Sequence, residues 1–333
     1  MTKRGNVIVT GVTGQDGSYL AEKLLLLGYD VIGTKRSSTT NTDTHQNLKA
    51  ATQLASSLNR ELQIVDLDLS SSSDIISLIR HVQPVRVFNM AAQTHVGTSF
   101  SRPEYTLDIT GVGAIRIFEA CMMHGPKDCK VYQASTSEMF GGADRPLRSQ
   151  AVFNPKSPYA AAKVLAHNCA SLYRNRGLFV SCGILFNHES ERRGLTFVTR
   201  KVTNAFAAIK LKKQSSVKLG SVSPRRDWGY APDYVDVMIA SLEAHEPRDF
   251  VVGTGVSHSI RDLVIAAGNA VNMSAEEALS RVETDSAFIR PIEVENLIAD
   301  TSEAESYYNW RATVSFHSMI EKMVAHDLAL LSK

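Results

Sequence analysis

The string Ser157-Pro158-Tyr159-Ala160-Ala161-Ala162-Lys163 holds the residues best suited to proton transfer. Four positions apart on a helix, Tyr159 and Lys163 share one face. An ammonium there lowers the pKa of the phenol, which then exchanges a proton with a sugar or alcohol hydroxyl near neutral pH. The same lysine can bond the ribose of a nicotinamide. A half-buried surface pair has the same spacing, so the rest of the chain must decide. A second string, Ala134-Ser135-Thr136-Ser137-Glu138, follows a core strand and emerges at the carboxyl edge of a sheet, where ligands bind in such folds. Its hydroxyls suit a substrate oxygen. Alcohol oxidation alone needs no carboxylate here, whereas taking a proton from carbon needs a base. By itself Glu138 is an ordinary loop carboxylate. Beside Thr136 and a Tyr/Lys pair it reads as that base.

Between the first strand and the first helix lies Thr10-Gly11-Val12-Thr13-Gly14-Gln15-Asp16-Gly17. Glycines at this junction let the backbone approach a pyrophosphate, and the helix N-terminus attracts the anion. In that context the loop predicts a dinucleotide site and favours the functional reading of Tyr159 and Lys163. At the end of the second strand, Thr34-Lys35-Arg36-Ser37-Ser38 stands where NAD-binding folds place an acidic residue. Cations with hydroxyls suit a 2'-phosphate and hence NADP; a solvated basic turn is the alternative. Three further segments carry arginine: Asn187-His188-Glu189 with Arg192 and Arg193, Arg225-Arg226-Asp227-Trp228, and Arg290-Pro291-Ile292-Glu293. Guanidinium forks match phosphate oxygens, and together the clusters predict a small anionic substrate such as a diphosphate, although each alone reads equally as a solvated face. No H-E-x-x-H, Walker loop or nucleophile elbow occurs, which sets aside metalloprotease, kinase-like and serine-hydrolase chemistry.

Val- and Ile-rich runs alternating with amphipathic stretches predict a parallel sheet flanked by helices. Strands are expected at 6–10, 30–33, 62–66, 85–90, 130–134 and 179–185, and a helix at 18–27. Residues 37–59 read as a long polar loop with at most one helix. After Asn187 the alternation breaks down into a helix near 197–212 and a basic loop over 221–228, with a helix at 234–244 returning to the first domain.

The 333 residues carry 36 basic and 34 acidic side chains, a net charge of +2, so no one-sign field marks a nucleic-acid or membrane partner. With 44% apolar and 21% charged residues the chain can build a sizeable core. Its length fits two domains of about 100–200 residues each. The four cysteines, Cys121, Cys129, Cys169 and Cys182, form no C-x-x-C pair, so neither a structural metal site nor a disulfide framework is expected, and a reduced cytoplasmic setting fits. MTKRG runs directly into a strand, leaving no room for a signal peptide, and no apolar run approaches the ~20 residues of a membrane span.

Longer strings strengthen these readings. The loop continues as Gly14-Gln15-Asp16-Gly17-Ser18-Tyr19-Leu20; the fifth strand reads Tyr132-Gln133-Ala134-Ser135-Thr136-Ser137-Glu138; the sixth runs Gly183-Ile184-Leu185-Phe186-Asn187-His188-Glu189-Ser190. With Phe197-Val198-Thr199-Arg200-Lys201, Arg226-Asp227-Trp228-Gly229 and Arg290-Pro291-x-Glu293-Val294, the chain over nearly its whole length resembles the GDP-mannose 4,6-dehydratase family. That is a branch of the extended short-chain dehydrogenases/reductases.

The resemblance implies an α/β fold, a Rossmann-type doubly wound parallel sheet with a smaller C-terminal substrate-binding lobe. The expected division is 1–186 with about 231–262 for the NADP-binding domain, and 187–230 with 263–333 for the nucleotide-sugar lobe. It implies catalysis by Thr136, Glu138, Tyr159 and Lys163. NADP contacts would come from Gly11, Thr13, Gly14, Gln15, Asp16, Gly17, Arg36, Ser37, Asp68, Leu69, Met90, Ala91, Ala92, Gln93, Thr94, Tyr105, Lys163, His188 and Arg193. Substrate contacts would come from Thr136, Asn187, Arg226, Arg290 and Glu293. The implied reaction converts GDP-mannose to GDP-4-dehydro-6-deoxy-D-mannose plus water by internal hydride transfer. The implied protein is a cytoplasmic homo-oligomer, dimer or tetramer, without metal, nucleic acid or membrane. Another nucleotide-sugar dehydratase, an epimerase, a 4-keto reductase of the same fold, or a catalytically silent NADP-binding regulator are the other readings. The chain departs from the family pattern in three places: one arginine rather than two after the second strand, Glu191 in place of a usual proline, and a shortened region between Ile260 and Val282.

Overall fold

The computed structural model describes residues 3–37, 46–288 and 292–333. Strands are numbered along the chain. β1 (Asn6–Thr10), β2 (Asp30–Lys35), β3 (Leu62–Asp66), β4 (Arg86–Asn89), β5 (Lys130–Thr136) and β6 (Phe179–Leu185) alternate with helices. Then come β7 (Asn187–Glu189), β8 (Val217–Leu219), β9 (Arg225–Tyr230), β10 (Asp249–Val252), β11 (Ser257–Ser259), β12 (Val282–Thr284) and β13 (Asn296–Leu297).

The chain forms two compact units. The first comprises Met1–Met139, Ser157–Ile184 and Val235–Phe250. Its sheet has the order β10-β6-β5-β4-β1-β2-β3, with β3, β2, β1, β4 and β5 pairing in parallel. The expected doubly wound sheet is therefore present. Nearly every residue of β1, β2, β4, β5 and β6 is buried, as strands covered on both faces must be, which is why they read as continuous apolar runs. β2 and β5 each extend two residues beyond the expected end. In β2 the extra residues pair in register with Val65 and Asp66 of β3. The strand order reverses between β1 and β4, the kind of switch point at whose carboxyl ends ligands bind in open α/β sheets.

Glycines shape the turn after β1. Gly11 has φ +68°, and a Cβ there would lie 3.1 Å from the Ala91 Cα. A Cβ at Gly17 would lie 2.5 Å from the Gly11 carbonyl oxygen and 2.7 Å from the Val12 Cα. The helix Gln15–Leu26 thus begins pressed against the loop, three residues earlier than expected, with Gly14 as its cap.

The second unit comprises Phe140–Lys156, Leu185–Tyr234 and Val251–Lys333. Its main sheet centres on β9, flanked by β11 antiparallel and by β7 and β13 parallel. Residues 225–228, expected within a basic loop, are therefore strand: ladder partners override the polar local composition. The core lies between the helices Val198–Lys210, Ile260–Asn269 and Phe316–Leu331, around Val202, Phe206, Leu263, Val264, Met319 and Met323. Packing groups 140–156 and 251–262 with this unit, unlike the expected division. Ala143 N and Leu147 N donate to the carbonyls of Asn296 and Ile298. The Asp227 carboxylate, pushed up by burial, accepts from Thr254 N (2.9 Å), Thr254 Oγ1 (2.6 Å), Gly255 N (2.9 Å) and Ala299 N (3.2 Å). Among the described residues no helix is long and apolar enough to cross a membrane.

Because Asp227 holds the backbone N–H groups of Thr254, Gly255 and Ala299, Asp227→Ala is expected to destabilise the protein by about 3 kcal/mol, with Asp227→Asn intermediate. A denaturant midpoint unchanged in Asp227→Ala would contradict the lacing role.

Candidate active site

The helix Pro158–Asn175 begins on a Ser-Pro pair that suits its first turn. Ser157 Oγ accepts from Ala160 N at 3.1 Å, and Pro158 occupies a position where no N–H is needed. That start fixes the helical phase, so Tyr159 and Lys163 share the face turned to β5. Lys163 Nζ donates to the Ala134 carbonyl at 2.6 Å and lies 6.0 Å from the centroid of the Tyr159 ring. One residue further along β5 stands Ser135, then Thr136, whose Oγ1 accepts from Glu138 N at 3.3 Å. Residues Ser137–Phe140 form a 3₁₀ turn that carries Glu138. Thr136, Glu138, Tyr159 and Lys163 are 9%, 8%, 8% and 4% exposed, so the polar groups act in a largely dry setting. Burial lowers the Lys163 ammonium to about 8, with Asp16 of the glycine loop opposing that drop electrostatically. The loop and the Tyr/Lys face therefore lie within electrostatic reach of each other in the first unit.

A chain of buried side-chain amides connects them. Thr10 Oγ1 donates to Asn89 Oδ1 (2.9 Å) and accepts from the N–H groups of Met90 and Ala91 (3.0 Å each). Asn89 Nδ2 donates to Gln133 Oε1 (2.8 Å), and Gln133 Nε2 donates to the Ala134 carbonyl (3.0 Å), which Lys163 also engages. Asn89 did not stand out in the sequence; its signal is an amide ending a strand of otherwise apolar residues. Gly111 was also missed. It lies in a π-helical stretch, Leu107–Val112, and a Cβ there would sit 2.9 Å from Leu165 Cδ2 and 3.2 Å from the Ala162 carbonyl, so its small size lets this stretch approach the helix next to Lys163.

Several of the residues expected to hold a dinucleotide belong to the first unit. The backbone of Gly11, Thr13, Gly14, Gln15, Asp16 and Gly17 turns into a helix whose cap carries no side chain, which leaves room for a pyrophosphate. Met90, Ala91, Ala92, Gln93 and Thr94 follow β4; Gln93 N donates to Thr110 Oγ1, and Gln93 Oε1 accepts from His95 N. After β2, Lys35 and Arg36 separate. Lys35 Nζ pairs with Asp66 at 2.6 Å, whereas the Arg36 guanidinium bonds the Tyr105 hydroxyl at 3.0 Å and Ser37 is exposed. Of the basic pair, Arg36 is thus the cation not held in that ion pair. The Asp68 carboxyl is lowered first by the Ser70 N–H and hydroxyl and then by Arg36 and Arg116, and the Leu69 carbonyl accepts from Arg116.

In the second unit, Arg226 is buried on β9, its guanidinium donating to the Val294 carbonyl (2.6 Å), the Arg225 carbonyl (2.8 Å) and Glu293 Oε1 (3.3 Å). His188 Nδ1 donates to the Phe186 carbonyl (2.8 Å), and its ring stacks on Tyr234. Arg193 pairs with Glu189 (3.1 Å) and lies over the Phe197 ring. Glu191 accepts from the Tyr230 hydroxyl at 3.2 Å. Asn187 and Trp228 are register partners, and Asn187 Oδ1 and Trp228 Nε1 are buried without a hydrogen-bond partner among the described residues. Arg290 lies outside the described residues.

Comparisons with known proteins bear on the family and the fold. The family model described as GDP-mannose 4,6 dehydratase matches residues 8–323. The chain belongs to the GDP-mannose 4,6-dehydratase family. It is 41% identical to GDP-mannose 4,6 dehydratase 1 of Arabidopsis thaliana over 98% of this chain and 90% of that protein. It is 39% identical to the Homo sapiens GDP-mannose 4,6 dehydratase over 99% and 94%. The fold matches a Thermus thermophilus UDP-glucose 4-epimerase in complex with NAD, with a TM-score of 0.82, 23% identity and 97% and 98% of the two chains covered. It also matches a dTDP-glucose 4,6-dehydratase from Bacillus anthracis in complex with NAD, with a TM-score of 0.81, 16% identity and 97% and 96% covered.

Lys163 is disfavoured as an ammonium by burial, so between about pH 8 and its ordinary 10.5 the unfolded chain binds a proton that the folded chain does not. Folding stability therefore rises with pH across that window, by about 3 kcal/mol for this group, and nothing is gained from it below pH 8. Lys163→Met should lose that rise. Parallel stability–pH curves for the two proteins would contradict it.

Proposed function

We propose that Thr136, Glu138, Tyr159 and Lys163 carry the 4,6-dehydration of GDP-mannose to GDP-4-dehydro-6-deoxy-D-mannose in this chain, with NADP as the bound dinucleotide. The chain is a hydro-lyase of its family. The observation that carries the assignment is Glu138: a buried carboxylate next to Thr136, on the strand end that Lys163 grips, is surplus to a reductase or epimerase and necessary for removing a proton from carbon.

When bound, the nicotinamide dinucleotide accepts a hydride from sugar carbon and returns it within the cycle. Tyr159 takes the C4 hydroxyl proton, assisted by the Lys163 ammonium behind it. Thr136 bonds the sugar oxygen and keeps C4 aligned. Once C4 is a ketone the C5 proton is acidic; Glu138 removes it and passes a proton to the departing C6 hydroxyl, which leaves as water. No external reductant is consumed.

Arg36, held by Tyr105 rather than paired to a carboxylate, supports NADP over NAD, since a guanidinium matches a 2'-phosphate. In the second unit, the unpartnered Asn187 Oδ1 supports a role in holding substrate, and the Arg226–Glu293 pair offers a cation for a diphosphate. Arg290 joins them, and His188 and Arg193 join the cofactor contacts, on the resemblance. So do the cytoplasmic setting and the homo-oligomer, dimer or tetramer, with no nucleic-acid or membrane partner.

Incubation with GDP-mannose, UDP-glucose and dTDP-glucose in turn should give a product one water lighter from GDP-mannose. Glu138→Gln should lose about 10²–10⁴-fold in turnover while still binding NADP, and Tyr159→Phe should lose oxidation and dehydration together. Near-normal turnover by Glu138→Gln would refute the assignment of the base. Arg36→Ala should weaken NADP by roughly tenfold or more and leave NAD little changed.

A further inference from the structure

On the helix that carries Tyr159 and Lys163, the next residue at the same spacing is His167, and it is buried. Its Nδ1 lies 2.9 Å from Ser135 Oγ, the residue of β5 just before Thr136. Its Nε2 faces Asp249 Oδ2 at 3.7 Å. Asp249 opens β10 and is held by the Arg174 guanidinium of the same helix, 2.5 Å to one oxygen and 3.3 Å to the other. The Cys182 thiol of β6, pushed well above its ordinary value by burial, stays protonated and lies beside Asp249 and Ser135.

His167, Cys182 and Asp249 present ligand-type atoms within 4.8 Å of one another. However, the thiol is protonated and both carboxylate oxygens face Arg174, so a hydrogen-bonded relay accounts for the cluster better than a metal does. Burial lowers the His167 pKa, and with the Asp249 carboxylate opposite Nε2 the neutral ring is best satisfied with its proton on that nitrogen. Nδ1 is then an acceptor, and the Ser135 hydroxyl donates to it.

Two successive residues of β5 are thus tied to two successive turns of the helix, Ala134 to Lys163 and Ser135 to His167. We propose that His167 is a positioning residue for the dehydration: through the Ser135 hydroxyl it sets the end of β5, and with it Thr136 and Glu138, against the helix face bearing Tyr159 and Lys163. The inference rests on the roles proposed above for those four residues. A shift of about 1 Å at reacting groups is worth up to about 10²-fold in rate, so a buried bond next to Thr136 has leverage on turnover without touching substrate.

The test is steady-state turnover of GDP-mannose by the wild type, His167→Phe, His167→Asn, Ser135→Ala and the double variant His167→Phe/Ser135→Ala. Asn places an acceptor oxygen near the Nδ1 position and Phe fills the site without one. His167→Phe and Ser135→Ala should each lose about tenfold or more in kcat with KM within about twofold, the double variant should fall no further than the worse single one, and His167→Asn should recover most of the loss. Full kcat in His167→Phe, an equal loss in His167→Asn, a change confined to KM, or losses that multiply in the double variant would each overturn the proposal. Should His167→Phe fail to fold, Ser135→Ala decides by its kcat. A wild type inert toward GDP-mannose would overturn the substrate assignment, whereas an active wild type with unimpaired His167→Phe overturns only the positioning role.

Discussion

The first unit depends on one run of buried hydrogen bonds along the carboxyl edge of its sheet, from Thr10 through Asn89 and Gln133 to the Ala134 carbonyl and Lys163. Buried amides are tolerated only when their donors and acceptors are matched, and here each group fits the next. Sliding any one strand would leave unpaired polar atoms in the core. The bonds therefore hold the ends of β1, β4 and β5 in register, and with them the glycine loop, the Met90–Thr94 segment and the Thr136–Glu138 turn.

The same dryness shapes the chemistry. Lys163 is brought down to about 8 by lost hydration, a drop that Asp16 opposes, and its Nζ donates to the Ala134 carbonyl. An ammonium in such a setting acts strongly on a neighbouring phenol because little water screens it. Close packing brings these groups together: Gly111 and the π-helical stretch lie against the backbone at Ala162, and Gly17 allows the first helix to start against Gly11 and Val12.

In the second unit, two buried carboxylates organise loops. Asp227 gathers the backbone at Thr254, Gly255 and Ala299, and Glu303 takes Ser149 N, Ser149 Oγ and Val251 N. Both carboxylates draw segments distant in sequence to one place. This is why residues 140–156 and 251–262 pack with this unit although they lie close in sequence to elements of the first. Glu191 is accommodated through the Tyr230 hydroxyl.

Local patterns were enough to recognise the alternation of strands and helices, the glycine loop after β1 and the pairing of Tyr159 with Lys163, because each follows from spacing along a few neighbouring residues. The 62–66 and 179–185 strands were legible to the residue for the same reason: both are short, Ile- and Val-bearing segments between turns. Strand β9 was not, since its residues are polar and become strand only when β7, β11 and β13 supply ladder partners. Nor could spacing show that Lys35 pairs with Asp66 while Arg36 turns to Tyr105, or that Asn89 and His167 stand behind the site. Those outcomes turn on which groups meet across the sheet after folding, where burial makes an unmatched polar atom expensive, and no periodicity along the chain encodes such meetings.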